Sequence, residues 1–489
     1  MKLLPDSISQ WLARRFNPIL VKELRQGVRS RAYTLVFLIV QVVMVFYLIF
    51  GMAVKESGGS NNSELDAFFW IIVGGFLLGI LPLMGSGALS SENRGSRLEL
   101  MVLTRLTARR IVYGKWLAIV AQGTLIVMAL LPYLVLRYYI GSVEFHESLL
   151  IALILLAASA ILTGLTVSVS VIRSPLVRWF LLVVGGLWTI PALIGLLVQS
   201  FRQMSDLLAQ IPLILLSGGL LVALAMEFAA ARFSPIEENH DTPKRLILLL
   251  MLLVGAGSYA WDDDLVMPNI LFWIGFLFVS WDGLCRPASA SPSVYEPFVR
   301  LGWAGRMAGR LLYPGWASSV VFSLVTFGLF LFGLVWGGET MGNEDIEIIR
   351  LLIGAFLFPF AVLLWVGLGR RFFGLSMFLF QLGLVLIMVL LHLFDEFGHT
   401  HLTLAACWSP TSVLVLYIME DLGDANLPYR DVYMIASLVM TALSLVAIAI
   451  KAFPQRRLVI RMEKQARANR QARSARESVV APPVLETSS

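Results

Sequence analysis

SGALSSENRGSRLELMVLTRLTARRIVYGK, residues Ser86–Lys115, is a polar interruption between the second and third long apolar runs of the chain. A connection that only joins two neighbouring helices needs about 2–8 residues, and this one is about four times as long. It also carries a helical pattern of its own. Leu98, Leu100, Met101, Leu103 and Thr104 recur at helical spacing against Glu92, Arg94, Arg97 and Arg105. The spacing predicts a short amphipathic helix lying on a membrane face, followed by a basic segment that re-enters the bilayer.

The flanking sequence supplies the membrane. Mean hydropathy is +0.80, and 58% of residues are hydrophobic against 14% charged. A soluble domain carries about 25% charged residues, so a soluble globular reading is excluded. Apolar runs of spanning length, about 17–25 residues, are expected at twelve places: Leu35–Val54, Phe68–Gly85, Trp116–Leu136, Leu149–Val171, Trp179–Val198, Ile211–Phe228, Leu246–Ala260, Ile270–Trp281, Val320–Trp336, Ile349–Gly367, Phe372–Leu393 and Val432–Ile450. The first run follows a basic segment without a small-residue cleavage pattern, so it is expected to stay in place. Pro82, Pro132, Pro191 and Pro359 lie inside spans and predict kinks that a bundle tolerates.

Charge then orients the spans. With the N-terminus in the cytoplasm, every Lys and Arg falls on a cytoplasmic segment except Lys55, Arg137, Arg202, Arg350 and Arg430. Asp262–Asp264 and the Glu339–Glu347 group sit outside. That is the positive-inside asymmetry, and merging any two spans would spoil it. The expected fold is therefore all-α and polytopic, with about twelve transmembrane helices and both termini cytoplasmic.

Two stretches carry a family likeness. In the first, Ser90, Ser91, Glu92, Arg94, Gly95, Leu98, Glu99 and Leu100 precede a turn that ends Arg109, Arg110, Ile111, Val112, Gly114 and Lys115. The second, Asn17–Arg31, opens Asn-Pro and continues through Lys22-Glu23 with spaced arginines. Together they resemble the ABC-2 type permeases, the membrane subunits of ATP-driven exporters. The likeness covers about the first 115 residues. It implies an N-terminal interfacial helix carrying Arg14, Arg15, Lys22, Glu23 and Arg25, and a coupling helix. There Glu92, Arg94, Leu98, Glu99, Leu100, Arg109 and Arg110 would meet a separate ABC-type ATPase that binds ATP and Mg. Arg105 replaces the proline that usually follows the Leu-Thr pair, and Asn93 replaces a common second charge. Both lie on the surface that would meet the ATPase. Periodicity alone supports a plainer reading of Ile8–Arg31, a basic amphipathic helix on anionic headgroups without a protein partner.

Other functions find little support. No Gly-x-x-x-x-Gly-Lys-[Ser/Thr] loop exists, so the chain has no phosphate cradle and needs no cofactor of its own. Leu216-Ser217-Gly218-Gly219 imitates a nucleotide-binding signature, but its apolar setting suits small-residue helix packing. Mid-membrane charge, the mark of ion-coupled carriers, is nearly absent. Glu227 and Asp282 lie at span ends, where snorkelling or capping explains them. Gln41, Gln122, Gln381, Thr163, Thr166, Ser168 and Ser170 suit helix–helix hydrogen bonds. Two distant cysteines, Cys285 and Cys407, exclude a disulfide framework. His392, Glu396, His399 and His401 mix imidazole and carboxylate as zinc sites do, but they do not form a His-Glu-x-x-His motif and a wet outside loop explains them better, so no metal site is expected. No acid pair of a membrane-embedded enzyme is present.

The expected organisation is an interfacial helix at 1–32 and a six-span permease core at 33–228 that contains the coupling loop 86–115. A linker follows at 229–245, then a second six-span region at 246–451 and a basic tail at 452–489 expected to be disordered. The chain is expected to be the non-enzymatic permease of a bacterial inner-membrane exporter, with an ABC-type ATPase and the bilayer as partners and no nucleic acid. A single permease unit would need a homodimer. The alternative is a non-transporting scaffold derived from the same family.

Overall fold

The computed structural model describes residues 18–56, 62–90, 107–140, 144–172, 178, 204–234, 238–261, 266–288, 291–336, 343–366, 373–395, 409–421 and 430–480. Every long regular element among them is helical. Eight helical stretches are long and apolar enough to cross a membrane: Arg31–Ala53, Phe68–Gly85, Ala108–Tyr139, Phe145–Val169, Ile211–Arg232, Trp316–Gly333, Ile346–Val366 and Met434–Arg473. The chain is thus an all-α, multi-pass membrane protein. The expected span at Trp179–Val198 lies outside the described residues. Apolar stretches at Pro268–Leu284 and Leu379–Leu390 are shorter.

Two compact units divide the chain, residues 1–275 and 276–489. The expected linker 229–245 falls within the first of these units. Much of that linker is helix, at its beginning and at its end.

The first unit contains α1 (Pro18–Val28), α2 (Arg31–Glu56) and α3 (Asn62–Gly74), which passes through a π-helical stretch, Gly75–Ile80, into Leu81–Gly85. Then come α4 (Ala108–Ile140), α5 (Phe145–Val169), α6 (Met204–Phe233), α7 (Asp241–Trp261) and the first part of α8 (Val266–Leu284). On α2, Leu35, Leu38, Val42, Phe46, Ile49 and Phe50 are exposed, while Tyr33, Val40, Met44 and Tyr47 are buried. An apolar stripe turned outward is costly in water and at home in hydrocarbon.

Hydrocarbon provides no hydrophobic drive between helices, so close packing and hydrogen bonds must hold them. Ser159 Oγ of α5 donates to the Leu77 carbonyl at 2.6 Å, satisfying an acceptor within the π-helical stretch. Trp116 Nε1 of α4 donates to the Ala160 carbonyl of α5 at 2.9 Å, and Tyr133 Oη donates to Gln41 Oε1 at 2.8 Å. The small hydroxyls act more locally than expected. Thr163, Thr166, Ser168 and Ser170 all donate to carbonyls three or four residues back in their own helix, and Ser170 Oγ also accepts from the Leu89 amide.

The second unit contains the rest of α8, then α9 (Glu296–Arg300), α10 (Gly302–Leu312), α11 (Trp316–Trp336), α12 (Asn343–Val366), α13 (Phe373–Asp395), α14 (Pro410–Asp421) and α15 (Arg430–Val480). Ser323 Oγ donates to Ser280 Oγ at 2.8 Å, joining α11 to α8. Leu357, Phe360, Ala361 and Leu363 of α12 pack with Ile448 of α15 and Trp316 of α11.

The C-terminal segment differs from its expectation. α15 is a single helix of 51 residues that runs through Pro454 to Val480, about 75 Å at 1.5 Å per residue. Polarity alone suggested disorder. Tertiary contact overrides it, because Met462 and Ala466 are buried with Val294, Tyr295, Val299 and Tyr313, with Leu458 and Val459 alongside. Residues 481–489 lie outside the described residues.

Candidate functional site

Among the described residues of the first unit, charged groups gather where α4 begins and α6 ends. α4 starts at Ala108, and Arg109 in its first turn places Nε 2.7 Å from Glu227 Oε1. Glu227 sits in the last two turns of α6 beside the buried Met226, Phe228, Ala229 and Ala230. A carboxylate in such surroundings persists only when its lone pairs are engaged. The second oxygen, Oε2, is 3.0 Å from His240 Nδ1.

His240 connects that carboxylate to the α6–α7 turn. Its ring is 5% exposed, and Nε2 lies 2.7 Å from Ser234 Oγ and 3.1 Å from Glu238 Oε2. A neutral ring donates from Nδ1 to Glu227 and accepts the Ser234 hydroxyl at Nε2. A protonated ring donates from both nitrogens, one toward each carboxylate. The turn itself is set by Asn239. Its Oδ1 accepts the amides of Asp241 and Thr242 at 3.2 Å each, capping the start of α7. The first turn of α7 adds a buried pair, Lys244 Nζ and Asp241 Oδ1, at 2.7 Å.

A second fastening lies further along α4. Lys115 Nζ is 3.5 Å from Glu23 Oε1 of α1. α1 lies along α4, with Gly27 so close to the Gln122 side chain that a Cβ there would displace it. Tyr33 Oη of α2 donates to the Gln122 carbonyl at 3.3 Å. α4 is therefore held from α1 and α2 on one part of its length and from α6 at its start.

Of the residues expected to carry ATPase coupling, the structure brings Arg109 into this junction and leaves Arg110 on the surface. Glu92, Arg94, Leu98, Glu99 and Leu100 lie outside the described residues, as do Arg14 and Arg15. Lys22 and Arg25 are exposed on α1, and Glu23 is half-buried at its ion pair. His392 belongs to α13, while Glu396, His399 and His401 lie outside the described residues. Among the described residues, Glu144, His146 and Glu147 bring metal-ligand-type atoms within 4.8 Å of one another. Two of the three are exposed, and His146 is already paired with Glu144 at 3.2 Å.

Sequence reasoning assigned Glu227 to snorkelling or capping and passed over Ser234, Glu238 and His240. The available signal was local: an imidazole thirteen residues after a carboxylate at a span end, with acids and a capping Asn around it. Gly218, in the string that imitates a nucleotide-binding signature, packs against Ile161 of α5, as small-residue packing requires. Compared with protein-family models, curated proteins and solved structures, the chain matches none.

Proposed function

We propose that this chain is the permease subunit of an ATP-driven exporter of the ABC-2 type, working with a separate nucleotide-binding subunit. In this reading twelve spans cross a bacterial inner membrane, both termini are cytoplasmic, and segment 86–115 is the coupling loop. The observation that supports it most is the continuity of α4. It runs for 33 residues from Ala108 as one helix that continues through Pro132, about 50 Å long. It is fastened near its start by Arg109–Glu227 and Lys115–Glu23.

A rod held this way transmits a push. When ATP closes the partner's nucleotide-binding dimer, the segment around Glu92–Leu103 is displaced, and Arg109–Lys115 carries that displacement into the bilayer. The ion pairs to α1 and α6 spread it to two neighbours, so the helices move together and open a path. Glu92, Arg94 and Glu99 supply polar contacts to the ATPase, and Leu98 and Leu100 seat the coupling helix. The substrate class lies among the lipids, polysaccharides, drugs and peptides that such exporters carry.

Affinity purification of the tagged chain from native membranes tests this directly. The expected result is an ABC-type ATPase in near-stoichiometric amount, lost with Glu92→Arg while the chain still inserts. An intact chain without any such partner would overturn the exporter reading in favour of a non-transporting scaffold.

A further inference from the structure

Helix α10 turns an apolar face away from the protein. Leu301, Trp303 and Met307 are 72%, 71% and 54% exposed. Trp303 and Met307 are four residues apart and share one face, whereas Gly305 and Gly309 occupy the opposite one. The glycine face is the one that packs. A Cβ on Gly309 would strike the Tyr313 ring, and one on Gly305 would strike the Phe298 carbonyl oxygen. Arg306 lies on the flank between the two faces, Arg310 follows Trp303 by two turns on the outward face, and the exposed Arg300 precedes the helix. Orientation is fixed by the close glycine contact, so the outward position of Trp303 and Met307 is built in.

The chain also limits where this face can go. Only Tyr313, Pro314 and Gly315 separate α10 from α11, and three residues reach at most about 10 Å. Tyr313 is itself locked, packed edge-to-face with Tyr295 at 4.6 Å and donating to Glu463 Oε1 at 3.2 Å. α11 exposes Val321, Val325, Leu329 and Phe332, a face that requires hydrocarbon. The outward face of α10 is thus tethered at the edge of the same bilayer leaflet in which α11 begins.

We propose that α10 is an interfacial anchor, with Trp303 and Met307 seated at the boundary of headgroups and acyl chains and Arg300, Arg306 and Arg310 binding anionic lipid headgroups. A tryptophan at that depth, beside arginines that reach phosphate, is the arrangement that interfaces favour. Each arginine near an anionic surface contributes about five-fold in binding. This role is independent of the exporter reading, needing only that α11 crosses a bilayer.

Quenching by brominated lipid tests it in the full-length chain, carrying Cys285→Ser, Cys407→Ser and a fluorophore on Met307→Cys. In vesicles, brominated phosphatidylglycerol should quench the label more strongly than brominated phosphatidylcholine. Arg300→Gln, Arg306→Gln and Arg310→Gln together should abolish that difference. Equal quenching by both lipids in the parent overturns headgroup recognition. Absence of bromolipid quenching overturns the anchor altogether: if aqueous iodide then quenches the label, the face is in water, and if iodide fails too, a protein covers it. Should the cysteine-free chain fail to insert, the difference in intrinsic tryptophan quenching between the parent and Trp303→Phe gives the same readout.

Discussion

The junction at Glu227 and the knot around Tyr313 each gather polar groups at the ends of membrane helices, yet they are held differently. At Glu227 one carboxylate serves two donors, Arg109 and His240, and its buried neighbours along α6 are apolar. Around Tyr313 the order is reversed: three aromatic rings pack first, with Tyr295 and Phe298 centred 4.6 and 5.1 Å from Tyr313, and one hydrogen bond to Glu463 completes the site. The first site depends on charge pairing and fails when its shared acceptor is removed. The second depends on shape and tolerates loss of a hydroxyl better than a change of volume. Only the first suits the transmission of movement, because ion pairs join separate helices without filling the space between them.

Removing the shared acceptor should have the largest effect. Glu227→Ala leaves His240 and Arg109 without their carboxylate, and unfolding in detergent should show a loss of about 3 kcal/mol, the lower end for a broken buried pair because Arg109 is half-exposed. Combining Glu227→Ala with Arg109→Ala should cost less than the sum of the two, and strict additivity would show that the pair does not interact. In the aromatic knot, Gly309→Leu forces a side chain into the Tyr313 ring and should cost about 2 kcal/mol. Tyr313→Phe keeps the ring and should cost less than Gly309→Leu. A reversed order would mean that the hydrogen bond, and not the packing, holds the knot.

The Lys115–Glu23 pair is longer, 3.5 Å against 2.7 Å, and Met keeps the apolar stem of the buried Lys115, so Lys115→Met should cost about 1 kcal/mol. The exchange Lys115→Glu with Glu23→Lys should recover part of what either reversal loses. The smallest effect is confined to alkaline solution. Burial, with Glu463 adding to it, pushes the Tyr295 hydroxyl up to about 12 from its usual 10.0, and the same causes push Tyr313 up as well. A group raised on folding gives stability that is complete below its unfolded pKa and lost as pH rises through its folded pKa. These two tyrosines should therefore leave the stability of the second unit unchanged near neutrality and weaken it from about pH 10 upward. Tyr295→Phe should flatten that slope, read from tyrosinate absorbance and helix content together.

Much of the fold was legible in one dimension. Phe68–Gly85 was expected as a span and is a helical stretch long and apolar enough to cross a membrane, and the expected Leu35–Val54 lies almost wholly within Arg31–Ala53. A bilayer is a uniform solvent of fixed thickness, so an apolar run of sufficient length declares itself. The described part of the N-terminal helix, Pro18–Val28, was legible as well, from Leu20, Leu24 and Val28 at steps of four among basic residues. Less visible was the fate of the basic C-terminal segment. Its composition resembles a solvated tail, but Tyr313 and Glu463, 150 positions apart, give it a structured partner that no local window contains.

The candidate site divides along the same line. Arg109 stood out because it belongs to a motif, whereas Glu227, Ser234, Glu238 and His240 looked ordinary. A carboxylate at a span end can snorkel, cap a helix or accept two ion pairs, and the local sequence is the same in each case. Composition, apolar run length and helical periodicity were enough to establish an all-helical protein of the membrane, since each depends on residues near one another in the chain or on the solvent they meet. Tertiary structure alone decided that Arg109 and His240 share one carboxylate, and that α10 turns its glycines inward and its tryptophan outward. Those outcomes depend on which distant helices come within about 3 Å, the reach of a hydrogen bond, and no period or composition records that distance.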